Sequence, residues 1–149
     1  MDPLSLTASV IAIIQLADRI ISVCKEYVTT VKDAPNDLRV IIIEAGSVKC
    51  VLELLELLIP RGDNDNISVI LEKLRTSHGP IEGCKQALTA LDSLFPVEVE
   101  CLARGKRRKI LRSLKDLAWP FKEGKARRLL GDIGRHKATI SLALTTETA

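Results

Sequence analysis

Aromatic side chains are nearly missing from this chain: it has one Trp, one Tyr and two Phe among 149 residues. Strands favour aromatic and β-branched residues in alternation with polar ones. No segment here alternates with period two over a useful length, so a sandwich or barrel is excluded as the expected fold. Val40-Ile41-Ile42-Ile43 has strand-type residues, yet it sits inside a three-four pattern that predicts helix. The four cysteines, Cys24, Cys50, Cys84 and Cys101, lie far apart and form no CxxC pair. Zinc sites usually draw their ligands from local pairs, so this spacing speaks against a metal. Buried, reduced thiols in a cytoplasmic protein are the expectation.

The chemistry of catalysis is just as sparse. Only His78, in a Gly-Pro turn, and His136, in the last helical segment, are present, and neither neighbours a nucleophile or a second ligand. The eight glycines are scattered, with no GxxxxGK[ST] phosphate loop and no GxSxG elbow. Glu53 with Glu56 and Glu98 with Glu100 read as solvated helix faces. These absences predict a protein that is not an enzyme, with no catalytic residue, no cofactor and no metal. The N-terminus has no basic region of the signal-peptide kind: Asp2 is the only charge before Asp18. The uncharged run 3–17 is shorter than the ~20 residues of a spanning helix. No constitutive transmembrane segment is expected.

What the chain does have is aliphatic residues at helical spacing. Apolar residues make up 46% and charged residues 28%, the balance of a soluble globular domain. A single domain of this length buries roughly 70% of the surface its unfolded chain exposes, without disulfides or metal. The first helix is predicted from Pro3, behind an Asp2 cap, to near Asp33. Its seam reads Val10, Ile14, Ala17, Ile21, Cys24, Val28 and Val31, with Leu6, Ile13, Ile20 and Tyr27 as a second stripe beside it. Asp18, Arg19, Ser22, Lys25 and Glu26 form the opposite face. A second helix begins at Asn36 or Asp37 and carries Leu38, Ile41, Ala45, Val48, Leu52, Leu55 and Ile59.

Residues 60–66 are a loop by composition, and a short helix with Ile67, Ile70, Leu71 and Leu74 follows. Pro80 opens a helix with Ile81, Cys84, Leu88, Leu91 and Phe95 on its buried stripe. The segment 99–118 has an apolar face of Ile110, Leu111, Leu114 and Leu117. A last helix runs from Lys122 to Thr146 on Ala126, Leu129, Leu130, Ile133, Ile140 and Leu144. Lys137 interrupts that face and is expected to snorkel outward. The fold class expected is all-α, an antiparallel bundle of five or six helices in up-and-down order. Residues 1–146 form one domain, and 147–149 begin a linker to domains absent from this chain.

Two stretches carry a family resemblance. The opening, Met1-Asp2-Pro3-Leu4-Ser5-Leu6-Thr7-Ala8-Ser9-Val10-Ile11-Ala12-Ile13-Ile14-Gln15-Leu16, resembles that of many fungal STAND and ankyrin-repeat proteins. Leu117-Ala118-Trp119-Pro120-Phe121-Lys122-Glu123, followed by Arg135-His136-Lys137-Ala138-Thr139-Ile140-Ser141-Leu142-Ala143-Leu144, is similar to the close of the same domain. The two bracket nearly the whole chain. The resemblance implies a HeLo-like bundle at the N-terminus of a fungal NLR-like receptor. A nucleotide-binding oligomerisation module or repeat domain of the same chain normally follows. The wider HeLo group is similar to the four-helix executioner domain of the mixed-lineage kinase domain-like protein and to helical domains of plant resistance proteins. Membrane targeting and regulated cell death are thus implied by analogy.

Two features would serve such a role. Leu4 and Ile11 lie on a third line of the first helix, so Leu4, Leu6, Val10, Ile11 and Ile14 make its first turns apolar almost all round. Such a helix is either enclosed at the centre of the bundle or a segment that inserts into a membrane or a neighbouring subunit. Residues 3–31 as one helix reach roughly 43 Å, although Asp18 and Arg19 would have to line a pore or stay at the interface. The second feature is charge. Residues 1–101 carry 9 basic and 15 acidic side chains, and residues 102–149 carry 13 and 4. Arg104, Lys106, Arg107, Arg108, Lys109, Arg112 and Lys115 concentrate the positive end. The cluster reads as a solvated face, as a surface for anionic phospholipid headgroups, or as a nucleic-acid surface. Nucleic acid is the weakest of the three, because no aromatic stacking platform accompanies the cations.

The function expected is an effector or signalling domain, cytoplasmic and recruited to membranes on activation. It would form homo-oligomers and engage an anionic phospholipid membrane. The rival expectation is a homotypic interaction scaffold without membrane activity.

Overall fold

The computed structural model describes residues 3–30, 36–59, 69–74, 76, 78–95 and 124–148. Among them are five helices and no strand: α1 Pro3–Thr30, α2 Asn36–Leu58, α3 Val69–Leu74, α4 Pro80–Ser93 and α5 Lys125–Thr148. The all-α bundle is therefore the fold. The expected segment 99–118, the loop 60–66, Trp119, Pro120 and Phe121 of the closing motif, Val31, Ile67 and Cys101 lie outside the described residues.

Local chemistry sets the helix ends. α2 opens at Asn36 with Asp37 in its first turn, where an acidic group meets the positive end of the helix dipole. α4 places Pro80 in its first turn, where a missing N–H breaks no bond. It closes in tight turns, Leu94 N–H donating to Leu91 O at 3.1 Å and Phe95 N–H to Asp92 O at 3.2 Å. α5 starts at Lys125, three residues later than expected. Gly124 holds φ +76°, a left-handed conformation open to glycine, and its carbonyl accepts from Arg128 N–H at 3.1 Å.

α1 packs most extensively on α2, α4 on α5, and α5 also on α2. Asp18 and Lys49 lie about equally far from the link 31–35 and pair at 2.7 Å, so α1 and α2 are antiparallel. α5 runs in the direction of α2: Glu44 meets Lys137, and the later residues 51–58 face 141–145.

α2 buries every residue expected of it: Leu38, Ile41, Ala45, Val48, Leu52, Leu55 and Ile59. α1 differs in phase. Leu6, Val10, Ile13, Ala17, Ile20, Cys24 and Tyr27 are buried, while Ile14, Ile21 and Val28 are only partly covered. The stripe expected beside the seam is its centre, and Val23 joins it. α1 touches both α2 and α4, so the line facing the junction of the two is covered most completely. In α4, Ile81, Cys84, Leu88 and Leu91 are buried and Phe95 is half-buried. In α5, Ala126, Ile133 and Ile140 are buried and Leu129, Leu130 and Leu144 half-buried.

Lys137 does not simply snorkel. Its Nζ donates to Glu44 Oε1 of α2 at 2.8 Å, both side chains being about three-quarters covered. Arg19 pairs with Asp92 at 3.6 Å and ties α1 to α4. The hydrogen bond to Asp18 holds the Lys49 ammonium above its ordinary pKa.

Candidate interaction surfaces

The five apolar residues singled out on α1 share one helix but not one face. Leu6 and Val10 are 1% and 0% exposed, inside the core cluster. Ile14 is half-buried against that cluster, and Ile11 is 38% exposed. Leu4 belongs to α1, but its side chain lies outside the described residues. Insertion through Leu6 and Val10 therefore requires α1 to leave its neighbours, whereas Ile11 is available without that step. By length and composition Leu6–Thr29 can cross a membrane, and 33% of that stretch is enclosed by the fold. A central helix of a soluble bundle has the same properties. The basic residues Arg104, Lys106, Arg107, Arg108, Lys109 and Arg112 lie outside the described residues.

Four large aliphatic residues are exposed on α2. Ile43 and Leu57 are 70% and 71% exposed, and Val40 and Leu54 are 44% and 52% exposed. Together with Ser47 and Cys50 they fall at 40, 43, 47, 50, 54 and 57. This three-four spacing is the same as that of the buried seam, displaced to the far side of the helix. α2 thus carries two seams, one filled by the core and one facing solvent. The outer seam was present in the sequence, and its signal was a second heptad interleaved with the first. It is separable only once the inner seam is assigned.

At its C-terminal end the outer seam runs into a groove of about 390 Å³ between α2 and α5, walled by Val51, Leu54, Leu57, Leu58, Ser141, Leu144 and Thr145. The Thr145 hydroxyl donates to Ser141 O of its own helix at 3.0 Å. No wall residue is ionisable, so the groove suits aliphatic side chains better than a polar metabolite.

The thiols divide by location. Cys24 and Cys84 are buried as expected, and burial pushes each up to about 12, leaving the unreactive protonated form at neutral pH. Cys50 departs from the expectation of burial: it is exposed, because it belongs to the outer seam of α2. Among the described residues no three His, Cys, Asp or Glu side chains gather as a metal site would require.

No curated protein and no solved structure matches the chain significantly. A family model does, that of the pigment biosynthesis cluster protein PigL N-terminal domain, over residues 1–149. With its five described helices and a family match that spans it, the chain belongs to the PigL N-terminal family, a HeLo-like family of fungal N-terminal domains.

Proposed function

We propose that this chain is a non-enzymatic, cytoplasmic signalling domain that works by associating with copies of itself at the N-terminus of an NLR-like receptor. Nucleotide-binding or repeat domains of the same chain would follow it, and regulated cell death would be its output. Membership of a HeLo-like family supports the N-terminal role. The observation that carries self-association is the outer seam of α2, where four large aliphatic residues face solvent along one helix. Contiguous apolar surface of this kind marks interaction sites more often than chance exposure.

A second reading is membrane engagement through α1. It is favoured by the length and apolarity of Leu6–Thr29 and by the exposure of Ile11. Anionic phospholipid, met by the cluster Arg104 to Arg112, would be the partner. The two readings separate in one experiment. The purified chain is mixed with dye-loaded anionic liposomes, and its mass is followed by light scattering. Self-association with intact liposomes supports the scaffold role. Dye release that Ile11→Glu abolishes supports the membrane role, and a monomer that leaves liposomes intact contradicts both.

A further inference from the structure

The outer face of α2 has the pattern of one half of a helix pair. Its six positions from Val40 to Leu57 keep three-four spacing without interruption, which is the repeat that packs knobs of one helix into holes of another. The inner seam of the same helix uses that repeat against α1 and is fully covered. Among the described residues the outer one is covered only in part: α5 flanks it at Leu54 and Leu57, and Ile43 and Leu57 remain 70% and 71% exposed.

The edges of the seam indicate what fits it. Arg39 flanks one end and Glu53 the other, on the same side of the stripe. Among the described residues Arg39 is exposed and makes no ion pair, and Glu53 pairs with Lys49 of its own helix, at 3.8 Å. A second α2 laid antiparallel places Val40 opposite Leu57, Ile43 opposite Leu54 and Ser47 opposite Cys50, with Arg39 of one copy on the edge that carries Glu53 of the other, about 7.5 Å apart along the axis. A parallel copy instead brings Arg39 towards Glu44, whose carboxylate Lys137 already holds at 2.8 Å. The antiparallel arrangement also delivers Val40 and Ile43 of the second copy to the groove beside Leu54 and Leu57. The small residues Ser47 and Cys50 fall at the crossing, where two backbones approach most closely.

We propose that two copies of this chain pair through the outer seam of α2, antiparallel about a two-fold axis near Ser47 and Cys50. This rests on the self-association reading and names its surface. Such a contact is self-complementary, as a two-fold interface must be.

Sedimentation velocity over a concentration series of the 149-residue chain tests it, with urea unfolding of each variant alongside. Ile43→Glu/Leu57→Glu is expected to weaken the dimer at least about tenfold with an unchanged unfolding midpoint. Arg39→Glu is expected to weaken it several-fold, and Arg39→Glu/Glu53→Arg to restore it. A dimer indifferent to Ile43→Glu/Leu57→Glu overturns the surface and leaves self-association standing. A monomer at every concentration overturns both. If Ile43→Glu/Leu57→Glu destabilises a monomer, the seam is covered within the chain itself. If that variant changes only liposome leakage, the occupant is a membrane. Either result overturns the pairing, as does a charge exchange that restores nothing.

Discussion

The imidazole of His136 on α5 lies so close to Gly83 on α4 that a Cβ built on Gly83 would clash with its Cε1 and Nε2 atoms. The two helices pack at that point because one of them has no side chain there. The clashing atoms are the distal edge of the ring, so an added methyl must drive the imidazole out of its place.

Gly83→Ala therefore has two opposed effects. Alanine gains about 1 kcal/mol of helix propensity over glycine, and overpacking costs about 1–3 kcal/mol. The expected result is a net loss of about 1 kcal/mol, read by urea unfolding. In a His136→Ala background the clash is gone, and the same substitution is expected to stabilise by up to about 1 kcal/mol. The same sign in both backgrounds would refute this packing.

Glu44 and Lys137, 93 positions apart in the chain, join α2 to α5. Their partial burial raises the pair above a solvated surface bridge. A double-mutant cycle on Glu44→Gln and Lys137→Met is expected to give a coupling of about 0.5–1 kcal/mol, the upper part of the range for partly exposed pairs. A coupling of zero would mean that α5 is not held on α2 by this bond.

Burial of Cys24 and Cys84 has a consequence for alkaline stability. The unfolded thiols ionise near pH 9, while the folded ones stay protonated up to about 12. The folded state thus binds more protons between these values. Stability is unaffected below pH 9 and falls above it, by up to about 1.4 kcal/mol per pH unit for each thiol. Unfolding free energies measured from pH 8 to 11 are expected to fall less steeply in Cys24→Ala/Cys84→Ala. Tyr27, also raised by burial, leaves a residual slope near the top of that range. In Cys101→Ser, Cys50 is expected to react with a thiol reagent at neutral pH while Cys24 and Cys84 wait for unfolding.

Neighbouring positions on α1 are expected to respond unequally. Val10→Glu places a charge among fully covered side chains and should cost about 3 kcal/mol or more. Ile11→Glu falls at a position 38% exposed and should cost less, about 1 kcal/mol. Equal effects on the unfolding midpoint would contradict the orientation of α1.

How far the sequence could be read depended on how many apolar lines each helix carries. α2 has its core seam at strict three-four spacing, and all seven residues from Leu38 to Ile59 were assignable without a structure. α1 is apolar on three adjacent lines in its first half, so spacing could not say which line faces the junction of α2 and α4. Ile14 and Ile21 therefore looked central, whereas Ile13 and Ile20 are. The partner of Lys137 was hidden because nothing local points to Glu44. Cys50, Ile43 and Leu57 looked like ordinary apolar content of α2 until the inner seam fixed the rotation of the helix. The candidate surface was thus written in the sequence but could not be separated from the core.

Sedimentation equilibrium of the wild-type chain beside Ile43→Glu/Leu57→Glu tests the central claim most directly. Reversible growth of the wild type towards twice the monomer mass, with the folded variant held at the monomer mass, is the expected result. A wild type that stays at the monomer mass up to the highest soluble concentration would contradict it.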